Sequence, residues 1–279
     1  MRVLRSASSL RPWITKLPPM LFLCVTASHI PAARSESAVA CCNVVELRQY
    51  TLHPGTQKAF TALFEGTFTE PQEATGMTVI GEFEDLDRPN HFVWMRGFQD
   101  MVARVTELDR FYQGEVWHAH RDEANGSIED SGNVLLLQTT SATFGLDNLP
   151  ARPPLGSDPS PAGLVVVTLY YTAANDARRF GSEFERTFPD LAATQGARTL
   201  AVYVTSMEPN NYPRLPVRSG EAIVVWIAGF ANATAYVNFE TKIAKSEHWI
   251  ARWNAARAQL SRDPEVLRLV PTAGSRLRG

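Results

Sequence analysis

The tryptophans of this chain are spaced as an internal duplication would space them. Trp94 and Trp226 lie 132 positions apart, and so do Trp117 and Trp249. Around the first pair, Val93-Trp94-Met95-Arg96-Gly97-Phe98 matches Val225-Trp226-Ile227-Ala228-Gly229-Phe230. Upstream the offset is 120, relating Tyr50 to Tyr170, Phe64 to Phe184, Phe68 to Phe188 and Gly76 to Gly196. The twelve extra residues enter between Gly196 and Trp226, where Ser206 to Glu221 holds Pro209, Pro213 and Pro216. A chain built from two copies of about 100 residues must fold as two similar units whose apolar faces meet. Four segments follow: 1–40, the first repeat 41–138, a proline-rich linker 139–163 and the second repeat 164–272.

Each copy carries the same order of elements. Val44 to Tyr50 alternates like a strand, and Gly55 to Thr75 places Phe60, Leu63, Phe64 and Phe68 at helical spacing. His53-Pro54-Gly55 reads as the turn that starts this helix. Met77–Glu84 and His91–Phe98 are strands separated by the turn-forming run from Asp85 to Asn90. Gln99 to Tyr112 is helical, a short helix surrounds Trp117, and Asn133–Leu137 closes the unit as a strand. The order β-α-β-β-α-β defines a ferredoxin-like unit. The fold class is therefore α+β, with two tandem ferredoxin-like repeats packed sheet against sheet as an intramolecular barrel walled by helices.

Composition removes several functions. A net charge of -2 gives no basic face for nucleic acid. No apolar run reaches the length of a transmembrane helix, so no stable membrane insertion is expected. Cys24, Cys41 and Cys42 supply no disulfide framework. No Gly-x-Gly-x-x-Gly, phosphate-binding Gly-Lys-Ser/Thr loop, Gly-x-Ser-x-Gly elbow or His-Glu-x-x-His occurs, so no nucleotide cofactor, serine hydrolase or structural metal is expected. The first 40 residues carry Arg2, Arg5, Arg11 and Lys16 with no acid before Glu36, then a short apolar run from Met20 to Ala27. A secretory signal, a mitochondrial transit segment and an upstream start codon all fit this pattern. The body is expected to be cytoplasmic, or exported or mitochondrial if the segment is a genuine leader.

The motifs Val45-Glu46-Leu47-Arg48-Gln49-Tyr50, His53-Pro54-Gly55, Trp94-Met95-Arg96-Gly97-Phe98 and the run from Asn211 to Arg218 resemble bacterial members of the NIPSNAP family. The resemblance runs from about Val44 to Val270. It implies a tandem member of the dimeric α/β-barrel superfamily, which includes small monooxygenases, isomerases and haem-handling proteins. The family has no agreed biochemical activity, so the resemblance implies a class of pocket and not a reaction.

Strand alternation suggests where a site would sit. If Val45, Leu47, Val93 and Met95 pack under the helices, then Glu46, Arg48, Tyr50, Trp94 and Arg96 face the barrel interior. At the matching positions of the second copy stand Val166, Thr168, Tyr170, Trp226 and Ala228, so one polar pocket is kept and the other filled. Arg48 and Arg96 would clamp an anion or a carbonyl oxygen between aromatic walls, or else join Glu46 in a network that only fixes sheet register. His118 is a candidate general base beside the barrel mouth, though a surface histidine fits as well; His118 and His120 are too poorly placed on a helix to chelate metal. His53 reads as a turn residue, and His91 and His248 as lone surface groups. Haem stays open, because a single axial ligand has no local signature. Asn210, Asn211, Arg214 and Arg218 mark the 206–221 loop as a lid or, by slight preference, an interface that orders on homodimer formation. Two functions follow. One is a protein binding a small apolar or aromatic molecule with an anionic or carbonyl group, with cofactor-independent oxygenase or isomerase chemistry as its extension. The other is a non-catalytic scaffold that meets partners through the 206–221 loop and exposed helices.

Overall fold

The computed structural model describes residues 41–141, 143–146, 148–156 and 163–279. The leader expected over the first 40 residues lies outside them. The first repeat runs β1 (Val44–Leu52), α1 (Gln57–Leu63), a π-helical turn (Phe64–Phe68), α2 (Thr69–Ala74), β2 (Thr78–Asp85) and β3 (His91–Phe98). It continues with α3 (Met101–Tyr112), α4 (Glu115–Ser127) and β4 (Ile128–Thr139). The second repeats the order as β5 (Leu164–Tyr171), α5 (Ala177–Glu185), α6 (Phe188–Ala193), β6 (Arg198–Thr205) and β7 (Ile223–Phe230). It ends with α7 (Ala233–Ile243), α8 (Glu247–Arg257) and β8 (Glu265–Pro271).

The eight strands close into one barrel in the order β1-β3-β2-β8-β5-β7-β6-β4. Each repeat contributes four antiparallel neighbours. The seams are β2 with β8, where Phe83 faces Pro271, and β4 with β6, where Leu137 faces Thr205. Closure removes the unpaired strand edges that a single four-stranded sheet would expose. The barrel is completed within one chain.

The duplication persists at the level of single backbone features. Asp100 caps α3 by accepting from the Ala103 amide, and Asn232 caps α7 by accepting from Ala235. Gly76 and Gly196 end the equivalent helical segments α2 and α6 with φ of +114° and +104°, a conformation that a side chain would strain. Both β2 and β6 bulge at the same place, between Val79 and Gly81 and between Thr199 and Ala201. Two elements are longer than their sequence pattern predicts: α4, which is polar over most of its length, and β4, whose first residues are exposed and carry no alternation.

The barrel lumen is filled by Val45, Leu47, Val93, Met95, Leu135 and Leu137 from the first repeat, and by Val165, Val167, Leu169, Val225, Ile227, Leu267 and Leu269 from the second. Leu146 and Leu149 of the proline-rich segment and Leu277 join this cluster, so that segment packs on the core instead of hanging free. Cys41 and Cys42 form a vicinal disulfide at the head of β1, which closes no loop. A side chain at Gly97 would collide with Cys42. Among the described residues no helix is long and apolar enough to cross a membrane.

Candidate functional site

The lumen composition overturns one expectation directly. Glu46, Arg48, Tyr50, Trp94 and Arg96 do not face the barrel interior; they lie on the outer face of the first sheet, under the helices of their own repeat. Val44, Tyr50, Trp94 and Phe98 cluster with Phe60, Phe64, Phe68, Leu108 and Phe111, whereas Val45, Leu47, Val93 and Met95 fill the lumen. The alternation separates the two sets correctly but assigns them to the wrong sides. The physical reason is that the lumen is shared and has no room for charge, while the sheet–helix layer opens to a cavity.

Glu46 is the centre of a buried charge cluster. Its Oε2 accepts from Arg48 Nη1 and Arg96 Nε, both at 2.8 Å, with Arg96 Nη2 also at 2.8 Å. Its Oε1 accepts from Arg104 Nε at 2.8 Å, with Nη2 of the same guanidinium at 2.6 Å. Burial alone would push the Glu46 carboxyl up, but the charges of Arg96, Arg48 and Arg104 outweigh it and hold the group well below the usual carboxylate range. Burial lowers the Arg104 pKa, with Glu46 opposing the shift. Glu46, Arg48, Arg96 and Arg104 are all at most 1% exposed. Three guanidiniums against one carboxylate leave a buried excess of two positive charges.

Neutral groups share part of that excess. Gln72 Oε1 accepts from Arg96 Nη1 at 3.2 Å, and the Tyr50 hydroxyl accepts from Arg48 Nε at 3.0 Å. The Arg96 guanidinium sits 5.0 Å from the Trp94 ring centre, and that of Arg48 sits 5.5 Å from Tyr50. Burial raises the Tyr50 phenol pKa above its ordinary value although Arg48 opposes the shift, so the hydroxyl keeps its proton at neutral pH and can donate it in a hydrogen bond.

Above this cluster lies a cavity of about 290 Å³, floored by Arg48, Tyr50, Trp94 and Gln72 and walled by Phe60, Phe64, Phe68, Phe111, Tyr112 and Trp117. Phe64 and Phe68 belong to the π-helical turn, a distortion that recurs at functional sites. The mouth is made by Tyr212, Arg214, Leu215 and Pro216 of the 206–221 loop, which the second repeat lays over the first. The loop is pinned at both ends to β4, with the Ser206 and Arg218 amides donating to the Leu136 and Val134 carbonyls. Arg218 Nη1 adds a bond to Asn133 Oδ1 at 2.9 Å. In the middle, Asn210 and Asn211 accept from Arg104 Nη1 at 3.1 and 2.7 Å, Asn211 Nδ2 donates to the Met101 carbonyl, and the Tyr212 hydroxyl donates to Asp109 at 3.0 Å. These residues form a strap held by hydrogen bonds within its own chain. Arg214 is exposed at its rim.

Sequence reasoning missed Arg104, Gln72, Tyr112 and Tyr212 as parts of the site. Arg104 carried a signal: it occupies the buried face of α3, one turn from Met101 and Leu108, where a charge needs a partner. His118 is exposed on α4 and does not line the cavity, so it has no place as its general base. His120 turns instead toward Phe68, with ring centres 6.4 Å apart. Among the described residues no group of histidine, cysteine, aspartate or glutamate is arranged to hold a metal. Among the described residues the lining of this cavity holds no histidine, cysteine or methionine for a haem iron, and the haem-ligand type it does hold is tyrosine, at Tyr50, Tyr112 and Tyr212.

The second repeat is not filled, as the substitutions to Val166, Thr168 and Ala228 suggest it should be. It keeps a cavity of about 360 Å³ at the equivalent place, with an apolar floor. Trp226 Nε1 there donates to Thr199 Oγ1 at 3.0 Å. Its counterpart Trp94 Nε1 is buried with no hydrogen-bond partner among the described residues, because Val79 stands where the second repeat has Thr199.

The NIPSNAP family model matches residues 45–142, the span from β1 to just beyond β4, which bears out the resemblance over the first repeat. A NIPSNAP family protein from Agrobacterium tumefaciens is 21% identical over 36% of this chain and 88% of its own, with a TM-score of 0.34. Over the whole fold, an anthrone oxidase-like protein aligns at a TM-score of 0.54 and 14% identity, covering 86% of this chain and 98% of its own. A monooxygenase-like protein from Lactobacillus acidophilus aligns at 0.52 and 14% identity, covering 83% and 96%. At such identity these two likenesses concern the fold alone. No curated protein matches the chain.

Proposed function

We propose that this chain binds a small molecule with an apolar or aromatic body and one anionic group, held in the cavity of the first repeat. The observation that carries this reading is the excess of two buried positive charges at the base of an aromatic-walled cavity. Buried charge without a counterion is costly, and an anion entering from the cavity relieves it. Arg48 lines the cavity directly and meets the charge; Tyr50 donates a hydrogen bond to it; the phenylalanines and Trp117 receive the apolar body. Arg96 and Arg104, bonded to Glu46, hold the cluster in register.

The same arrangement would stabilise an enolate or phenolate oxygen, the species through which isomerase and cofactor-independent oxygenase reactions pass. Such turnover needs a base, and the lining offers no carboxylate or imidazole among the described residues. Glu46 is too acidic in its cluster to serve. Binding is therefore the function this geometry supports best. The scaffold alternative is less well supported, because Asn211, Tyr212 and Arg218 of the 206–221 strap are bonded within the chain, which leaves Arg214 as its exposed cation.

The test is titration calorimetry with 1-naphthoate and with uncharged 1-naphthalenemethanol. At least tenfold tighter binding of the carboxylate is expected, and Arg48→Met should abolish the preference while the thermal melt shows a folded protein. Equal affinity for the two in the unaltered protein would overturn the reading. Native and denaturing mass spectrometry of the purified chain would show whether a natural guest of this class is carried.

A further inference from the structure

The second repeat turns its equivalent of the charge cluster into something chemically opposite, and the change is concerted. The offsets of 120 and 132 place Val166 at the position of Glu46, Thr168 at Arg48, Ala228 at Arg96 and Tyr236 at Arg104, while Ala192 replaces Gln72. Shared strand register and matching helix caps establish these equivalences. Every charged member of the cluster is gone at once, so none is left without its partner. The aromatic frame stays: Tyr170, Trp226 and Trp249 stand where Tyr50, Trp94 and Trp117 do.

Replacing these five large polar side chains does not collapse the layer. The cavity of about 360 Å³ remains, bounded by Val166, Ala228, Trp226, Phe239, Trp249 and Trp253. Among the described residues Glu240 is the only charged residue in its lining, and its Oε1 accepts from the Tyr236 hydroxyl at 2.8 Å. Arg268, whose charge also reaches Tyr236, is paired with Asp87. The lining of this cavity carries one carboxylate and no cation, whereas the first cavity sits over an excess of two positive charges.

Access differs as well. The connection between β6 and β7 forms the strap that closes the first cavity. Its counterpart between β2 and β3 is only the turn from Leu86 to Asn90, too short to cross the second. The second mouth is correspondingly open and apolar, with Ile250 39% and Val266 43% exposed beside it. We infer that the second repeat is a separate binding site for a small uncharged apolar molecule, and that one chain thus carries two cavities, one for an anionic ligand and one for an uncharged ligand.

Two dyes sharing one ring skeleton test this on the full chain: uncharged N-phenyl-1-naphthylamine and its sulfonated relative 8-anilino-1-naphthalenesulfonate. The uncharged dye should bind saturably with quenching of tryptophan emission. Ala228→Leu, which fills the cavity floor, should weaken that binding at least tenfold. Ile250→Glu, a change at the exposed mouth, should weaken it several-fold, and this variant decides the matter if the first does not fold by circular dichroism. Binding of the sulfonated dye should be unaffected by either. Absence of saturable binding by the uncharged dye, its persistence at full affinity in the folded variants, or equal loss of both dyes would each overturn the inference. Failure of the sulfonated dye alone to bind would count against the first-repeat reading and leave this one standing.

Discussion

Replacing Glu46 by glutamine tests the charge cluster without changing its shape. The variant keeps one acceptor oxygen but removes the only carboxylate that Arg48, Arg96 and Arg104 share. Removing one partner of a buried ion pair costs about 3–5 kcal/mol, and a carboxylate serving three guanidiniums belongs at the upper end. For a chain of this size each kcal/mol moves the melting temperature by roughly 2–4 °C, so a fall of roughly 10–20 °C is expected at pH 7. Differential scanning calorimetry reads this directly, with urea unfolding as the check that cooperativity is retained.

The pH dependence sharpens the same test. The folded Glu46 pKa lies well below its unfolded value of about 4.3, so its contribution is complete above that value and is lost as the pH falls toward the folded one. The gap between the two melting curves should therefore be constant from pH 8 to about pH 5 and narrow progressively below it. A fall of less than about 4 °C at pH 7, or a gap that widens on acidification, would mean that the three guanidiniums are neutralised by something other than Glu46.

Other perturbations have their own signatures. Val79→Thr should give Trp94 Nε1 the acceptor that Trp226 finds in Thr199, raising stability by about 1 kcal/mol in urea unfolding with an unchanged slope; a loss of stability would show that the two indoles are oriented differently. Arg152→Ala removes the guanidinium beside buried Glu82 and should cost about 3–5 kcal/mol at pH 7. Because burial already raises the Glu82 pKa, that cost should shrink as acid neutralises the carboxyl; a cost independent of pH would argue against the pairing. Tyr212→Phe, which removes the bond to Asp109, should raise amide exchange across 206–221 and speed the release of a ligand from the first cavity, while leaving exchange in β5–β8 unchanged.

Much of the fold was legible because the chain states it twice. Equal offsets located the repeats, and Trp94, Gly97 and Phe98 recur with their register intact in Trp226, Gly229 and Phe230. The polar run of α4 and the exposed start of β4 were harder, since neither presents a periodic apolar face. The strap illustrates a different limit: its asparagines and arginines mark it as special, but nothing local says that Asn211 reaches Arg104 across 107 positions.

The reversed assignment of sheet faces is the more instructive case. Both faces of β1 and β3 are buried, so burial cannot say which one is the lumen. The comparison between copies can, by a physical argument that the alternation alone does not make. Residues in the lumen pack against those of the other repeat, and any charge placed there must be accommodated by both. Residues under the helices answer only to their own repeat. A set apolar in both copies, such as Val45, Leu47, Val93 and Met95 with Val165, Val167, Val225 and Ile227, is then the shared lumen. A set that is charged in one copy and uncharged in the other, as Glu46, Arg48 and Arg96 are against Val166, Thr168 and Ala228, must occupy the private layer. The two cavities were free to diverge because each lies in a private layer. The strap crosses from the second repeat to the layer of the first, and it closes over the layer that kept its charge.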